Sequence, residues 1–493
     1  MDAVNAGMSM EADFAALLPE LFLLAGAVTA LLTGSFLPRD RQSPTRLIGI
    51  IALLGAVVST GTGLSAGSRT VFEGSFSLDT PTTIARLIIC TATLLVICLG
   101  ADELRGSPRE SETYALMLLS TLGALVMAGT DDLLILAVAY LLASIPLYAL
   151  IGMGRSPRAA EAALKTYLLG AFLGIALLLG ITILYALAGA SSYDQLRAGL
   201  ADAPSGAIAA GLLGVLAGIA FKAGAVPGHF WVPDASQGAG VAVAAFLTTV
   251  PKIGALVAAY RLLSTLPDSV DAPLVIAVLA AASMTIGNFA AFSQTNVRRL
   301  LGWSTVSQAG YLLVPVAVAG ASDLALPSLL FYLGAYALSN IGAFAVVAAT
   351  GHDEVGQYRG LARRSPWLAG VLVVSLLSLV GTPPTVVFVG KLTTFAAGWD
   401  GGLAWLVVVA ALNTVASLFY YLRWLAPMFQ GAEFQRAATE STEPSTPDQQ
   451  AGDTVGVRRW PATVAVLSGG LVVAGGVVAG LVWPALEGTL AGL

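Results

Sequence analysis

Lys165, Lys222, Lys252 and Lys391 each fall inside a long apolar run of this chain. An ammonium group at the centre of a membrane helix costs roughly 3 kcal/mol on an insertion scale. Four of them therefore call for a paired or hydrated interior. Lys165 stands only a few residues into its run, where a snorkelling side chain reaches the interface. The other three stand deep. Burial penalises the charged form of an amine, which lets such a lysine release and regain a proton as its surroundings change. The chemistry these residues point to is proton transfer along a polar axis.

Two of the lysines stand beside backbone punctuation. Lys222 precedes Ala223-Gly224-Ala225-Val226-Pro227-Gly228-His229-Phe230-Trp231-Val232-Pro233, and Lys391 follows Gly381-Thr382-Pro383-Pro384. Proline deletes a backbone donor and glycine admits a turn, so Pro227, Pro233, Pro383 and Pro384 read as helix breaks. Interrupted helices at bilayer depth are tolerated where they line a cavity. Matching breaks in two halves of a chain point to inverted repeats around a transport site; an ordinary proline kink is the plain alternative for either break alone. Other polar residues carry weaker signals. Glu20 and Arg86 read as interfacial, Asp131 and Asp132 as acids at a helix N-terminus, and His229 as a structural hydrogen-bonder. Cys90 and Cys98, eight residues apart in one run, stand too far apart for a disulfide. With His229 and His352 they supply no ligand set for an iron–sulfur cluster or a haem. No metal or cofactor site is expected in this chain, and no basic patch suggests nucleic acid.

The elements that must position the lysines are membrane helices. Of the 493 residues, 57% are hydrophobic and 11% charged, against about a quarter charged in soluble proteins. Apolar runs near the roughly 20 residues of a membrane span recur throughout, and the alternating segments of a β-barrel are absent. The fold class is an all-α polytopic membrane protein of about 14 helices. The runs lie near 14–36, 47–64, 82–101, 113–128, 131–151, 162–188 and 207–227. They continue near 239–263, 272–292, 299–320, 325–350, 366–398, 402–427 and 462–483. Loops after odd-numbered runs hold most arginines, among them Arg39, Arg105, Arg155, Arg298, Arg363 and Arg458, so they face the cytoplasm and both termini face outward. The acidic leader with Asp2, Glu11 and Asp13, followed by a long first run, reads as a first span and not as a cleaved signal peptide. The polar stretch around Thr439–Pro447 reads as a flexible cytoplasmic linker.

These residues carry a resemblance. Ala162-Ala163-Leu164-Lys165-Thr166-Tyr167-Leu168-Leu169-Gly170-Ala171 resembles a signature of the N subunits of proton-pumping NADH:quinone oxidoreductase (complex I). So do Phe221 to Asp234, Gln294-Thr295-Asn296-Val297-Arg298-Arg299-Leu300-Leu301 and the Gly381 to Lys391 segment, in matching order between about residues 80 and 430. The resemblance implies two inverted five-helix repeats, each with a broken helix. Its divisions here are 1–112 (three N-terminal helices), 113–263 and 264–427 (the repeats), 428–461 (linker) and 462–493 (last helix). It implies a subunit without redox centres in a bacterial-type cell membrane, whose partners are the lipid bilayer and the other membrane-arm subunits. NADH, FMN, iron–sulfur clusters and quinone then belong to partner subunits. Lys222 would be the central lysine of the first half-channel and Lys391 that of the second. Lys252 would link them, and Lys165 would be accessory.

Two positions depart from the pattern. The family places a glutamate five residues before the proline of Ser144-Ile145-Pro146-Leu147-Tyr148, as counter-charge to the first broken helix's lysine; here that position is Leu141. Gln308, in Ser304-Thr305-Val306-Ser307-Gln308-Ala309-Gly310-Tyr311, stands where histidine is usual, and glutamine cannot titrate. The expectation is a divergent N-type paralogue with its first half-channel altered. A subunit of a multi-subunit cation/proton antiporter, sharing the broken helices and lysines, and a non-pumping structural paralogue are the alternative readings.

Overall fold

The computed structural model describes residues 13–62, 67–267, 271–430, 457–488 and 490–491. Most of the expected linker, 431–456, lies outside the described residues. Three helices open the chain: α1 (Leu18–Phe36), α2 (Pro44–Thr62) and α3 (Thr80–Leu99). A short antiparallel hairpin, β1 (Arg69–Val71) and β2 (Phe76–Leu78), joins α2 to α3, with Arg69 opposite Leu78. Then come α4 (Glu110–Gly129), α5 (Leu133–Gly152), α6 (Pro157–Ala188), the short α7 (Tyr193–Leu200), α8 (Ser205–Ala223), α9 (Trp231–Gly238) and α10 (Val241–Ser264). The later long helices are α11 (Ala272–Ala291), α12 (Val297–Ala317), α13 (Ala325–Thr350), α14 (Pro366–Val380), α15 (Val386–Asp400), α16 (Ala404–Leu425) and α17 (Arg459–Val477), with single helical turns between some of the elements.

Twelve described helices are long and apolar enough to cross a membrane. The expected set of 14 is filled out by α12, which opens with Arg298 and Arg299, and by the interrupted pair α14–α15. Local chemistry sets the ends. Ser156 accepts from the Ala159 amide (3.0 Å) to cap α6, and Asn296 accepts from Arg299 (3.1 Å) to cap α12. Asp132 caps α5 through the amides of Leu134 (2.7 Å) and Ile135 (3.1 Å), satisfying donors that would otherwise be orphaned. Only one of the two adjacent acids caps, because Asp131 turns to Arg261 instead (3.2 Å).

The loops sort by parity, as a membrane requires. Bridges between Phe76 and Thr130 and between Asp132 and Ser192 gather the loops after the second, fourth and sixth runs at one end. Asn296 meets Glu354 at the opposite end, joining loops after odd-numbered runs. Helices approach closely where side chains are smallest. A Cβ built on Gly180 of α6 would stand 2.4 Å from the Gly211 carbonyl oxygen of α8.

The seventh run ends earlier than its hydropathy suggests. α8 stops at Ala223 because Gly224 takes a left-handed conformation (φ 72°), which hydropathy does not register. Pro233 is not a break. It lies in the first turn of α9, where an amide has no intrahelical acceptor to lose, so the interruption is carried by Gly224 to Phe230 with Pro227.

Candidate functional site

Pro383 and Pro384 decide the chemistry of the second break. In an uninterrupted helix the carbonyls of Leu379 and Val380 would accept from the amides of residues 383 and 384; prolines have none. Gly381, at φ 93°, ends α14 there. Two side chains claim the released carbonyls. Gln308 of α12 donates from Nε2 to the Leu379 oxygen (2.8 Å), and Lys391 of α15 donates from Nζ to the Val380 oxygen (2.8 Å). Lys391 also donates to the Thr414 hydroxyl (3.3 Å) and sits 4.0 Å from the centre of the Tyr311 ring. The break is thus a ready-made acceptor for a cation.

Gln308 faces two ways. Its Oε1 accepts from the Tyr332 hydroxyl of α13 (2.6 Å). One turn along α13, Tyr336 donates to the Thr248 carbonyl (2.8 Å) and shares a hydrogen bond with the Thr305 hydroxyl (3.0 Å). Lys252, at the midpoint of the 24-residue α10, donates to the Thr305 carbonyl (3.3 Å) and the Tyr336 hydroxyl (3.4 Å). Its ammonium lies 4.6 Å from the Tyr336 ring. Thr305, Gln308 and Tyr311 project from one face of α12, and Tyr332 and Tyr336 from one face of α13, by helical spacing. Between them they line a track of polar groups from Lys252 to Lys391.

The first break differs. Lys222, next to last in α8, has no hydrogen-bond partner among the described residues. Two aromatic faces approach it, Tyr140 at 5.3 Å and Phe221 at 5.9 Å. The Trp231 indole donates to the Phe221 carbonyl (3.0 Å), and Ser283 accepts from the Val226 amide (2.9 Å), which fixes the interruption. His229 is buried with Nδ1 unbonded, so it is not satisfied by hydrogen bonds at both ring nitrogens. Lys222, Lys252 and Lys391 are 1%, 1% and 3% exposed, and none has an acid in salt-bridge range among the described residues.

Two expectations are corrected. Lys165 does not join this interior: its side chain is 51% exposed and pairs with Glu161 (2.6 Å) and Asp234 (2.9 Å). Asp234 also meets Arg299, so the cluster ties α9 to α6 and α12. Leu141 is 40% exposed and lies on the outer face of α5, while its neighbour Tyr140 is the residue facing Lys222. An acid at 141 would look outward from this chain, not into its break.

Sequence reasoning missed two ion clusters. Arg86 grips Glu20 through Nε and Nη2 (2.8 Å each) in a buried pair. Arg261 holds Asp79, Asp131, the Thr82 hydroxyl (2.6 Å) and the Ala128 carbonyl (2.8 Å). It also missed Tyr332 and Tyr336; the signal was there in their one-turn spacing opposite Thr305 and Gln308, inside otherwise apolar runs.

The family model described as NADH:quinone oxidoreductase/Mrp antiporter, TM matches residues 130–417. The chain is 54% identical to NADH-quinone oxidoreductase subunit N of Mycobacterium sp. (strain JLS) over 465 residues, covering 94% of this chain and 96% of the relative. It is 52% identical to NADH-quinone oxidoreductase subunit N 1 of Streptomyces griseus, covering 97% and 99%. Among solved structures it is similar to a chain of respiratory complex I from Thermus thermophilus with bound aureothin, at 30% identity, TM-score 0.78 and coverage of 96% and 99%. A chain of the Mrp complex from Dietzia sp. DQ12-45-1b shares the fold, with TM-score 0.80 at 23% identity and 96% coverage of each chain.

Proposed function

The chain belongs to the NADH:quinone oxidoreductase/Mrp antiporter transmembrane family, in its subunit N branch, and we propose that it works as a proton-translocating subunit in the membrane arm of a bacterial NADH:quinone oxidoreductase. One observation carries the translocation reading: the carbonyls released by Pro383 and Pro384 are taken by Gln308 and Lys391, and the same polar track runs back to Lys252. A buried ammonium held by neutral oxygens and aromatic faces, with no carboxylate, depends on hydration and on the charge of its neighbours to keep its proton. That dependence is what lets a distant electron-transfer event move protons.

In this reading Lys222 serves the first half-channel, Lys252 the link and Lys391 the second. Lys165 holds the cytoplasmic end of α9 through Asp234 and stands outside the route. The repeats are 113–263 and 264–427, the first containing the α8–α9 break and the second the α14–α15 break. Loops after odd-numbered runs face the cytoplasm, so the hairpin β1–β2 is outside. NADH, FMN, iron–sulfur clusters and quinone are held by partner subunits, and the chain takes no redox step itself. Lys222, enclosed by Tyr140 and Phe221, has no acid at position 141 as counter-charge, so the first half-channel is altered and contributes less to pumping than the second.

Purifying the tagged chain from gently solubilised membranes tests the membership. The NADH-oxidising arm and the other antiporter-like subunits should accompany it. Isolation with cation-antiporter subunits alone would overturn the assignment.

A further inference from the structure

A cavity lies away from the lysines, at the end of the molecule where the β1–β2 hairpin sits. It has a volume of about 670 Å³, within the range of small-molecule sites. Its walls come from the start of α1, the end of α2, the hairpin, the first turns of α3 and the segment after α17, with Pro484 and Glu487. The polar groups that face it are not all spoken for. Asp79 is satisfied by the amides of Thr82 and Ala491 (3.1 Å each) and by Arg261. Arg86, which also lines the cavity, gives Nε and Nη2 to Glu20 and the Ala16 carbonyl, and its Nη1 has no hydrogen bond among the described residues. Arg69 and Glu487 line the same space and have no ion pair among the described residues. Thr80 and Thr83 line it as well.

Arg86 is six residues into α3, about 9 Å along its axis from the helix start. It is 4% exposed, a buried cation at the cavity floor. The walls that frame the cavity carry exposed apolar side chains beside their lining residues: Phe14 and Leu18 next to Ala15, Ala16 and Pro19, Val58 next to Ser59 and Thr60, and Leu481 before Pro484. Arg69 and Glu487 at the exposed rim, the buried Arg86–Glu20 pair at the floor and an apolar surround match one amphiphile.

We propose that this cavity binds a phospholipid with an amine-bearing headgroup, its phosphate on Arg69 and Arg86 and its ammonium on Glu487. Guanidinium–phosphate contact is charge-assisted and bidentate-capable, and a glycerol headgroup would leave the Glu487 carboxylate facing an anion without a partner.

Native mass spectrometry of the purified complex, washed in detergent and then exchanged with defined lipid, tests it. The chain released from the complex should carry one dioleoyl phosphatidylethanolamine, in preference to dioleoyl phosphatidylglycerol. Arg69→Gln, combined with Thr83→Leu to fill the floor, should cut that occupancy by about tenfold, the scale of one lost hydrogen bond to a charged group. Glu487→Gln, at the exposed rim where folding is not at risk, should erase the preference for the amine. Equal occupancy in the Arg69 and Thr83 variant would overturn the site. Equal retention of phosphatidylglycerol by the unaltered chain would overturn the amine assignment, and displacement of the lipid by millimolar inorganic phosphate would show a free-anion site instead.

Discussion

Gln308 joins the two halves of the polar track by bonding a side chain on one flank and a released carbonyl on the other. Replacing it with leucine leaves the Leu379 oxygen and the Tyr332 hydroxyl buried without that partner, at about 1–3 kcal/mol for each unsatisfied group. Gln308→Leu should therefore lower the thermal denaturation midpoint, and Gln308→His, which keeps a donor, should lower it less; equal midpoints would contradict the bonding described. Asp131 gives a pH-dependent prediction at the same scale. Burial raises its carboxyl to about 6, against the pull of Arg261 and with a further push from Asp79. A carboxyl whose folded value lies above its unfolded one takes up its proton on folding. Its charged form opposes folding above about 6, and that penalty fades as pH falls through 6 toward 4. Asp131→Asn should flatten the corresponding rise in stability between pH 7 and 5, measured by thermal denaturation across that window. An unchanged pH profile would show that Asp131 does not titrate there.

At the scale of the element, the interrupted α14–α15 pair is a helix from which two donors have been deleted. Pro383→Ala with Pro384→Ala restores amides that can reach the Leu379 and Val380 carbonyls. The healed helix takes away Lys391's acceptor, so proton translocation per electron should fall while assembly of the complex persists. Full translocation in that double variant would mean that the break is structural. Breaks of this kind were legible in the sequence because proline's effect is local: it falls on a carbonyl four residues back. The same logic explains the error at Pro233, since a proline's consequence depends on whether it opens a helix or interrupts one, and α9 begins two residues earlier. Hydropathy found the long helices but not α7, whose polar sequence carries no apolar run. Which way a side chain looks was not legible. Leu141 and Tyr140 are adjacent, yet one faces outward and the other faces Lys222, and only the rotation of α5 against its neighbours decides between them.

At the scale of the whole molecule, long-range pairing was the part hidden from the sequence. Arg261 and Asp79 are brought together from distant helices, and so are Arg86 and Glu20 across 66 residues. No spacing rule links such residues. What the sequence did carry was the cost of burying charge, which singled out Lys222, Lys252 and Lys391, and the structure keeps all three inside. It moves Lys165 to an exposed ion pair, where a few residues of helix separate a snorkelling lysine from a buried one. The proposed translocation makes Lys252 the joint of the molecule, at the midpoint of α10 and at one end of the Thr305–Tyr336–Gln308–Tyr332 track. The direct measurement is proton translocation per electron in proteoliposomes containing the complex with Lys252→Met, set against the unaltered complex at equal NADH oxidation. A drop in the ratio with the complex intact is the predicted result. An unchanged ratio would mean that protons do not pass Lys252 and that the track between the breaks is packing.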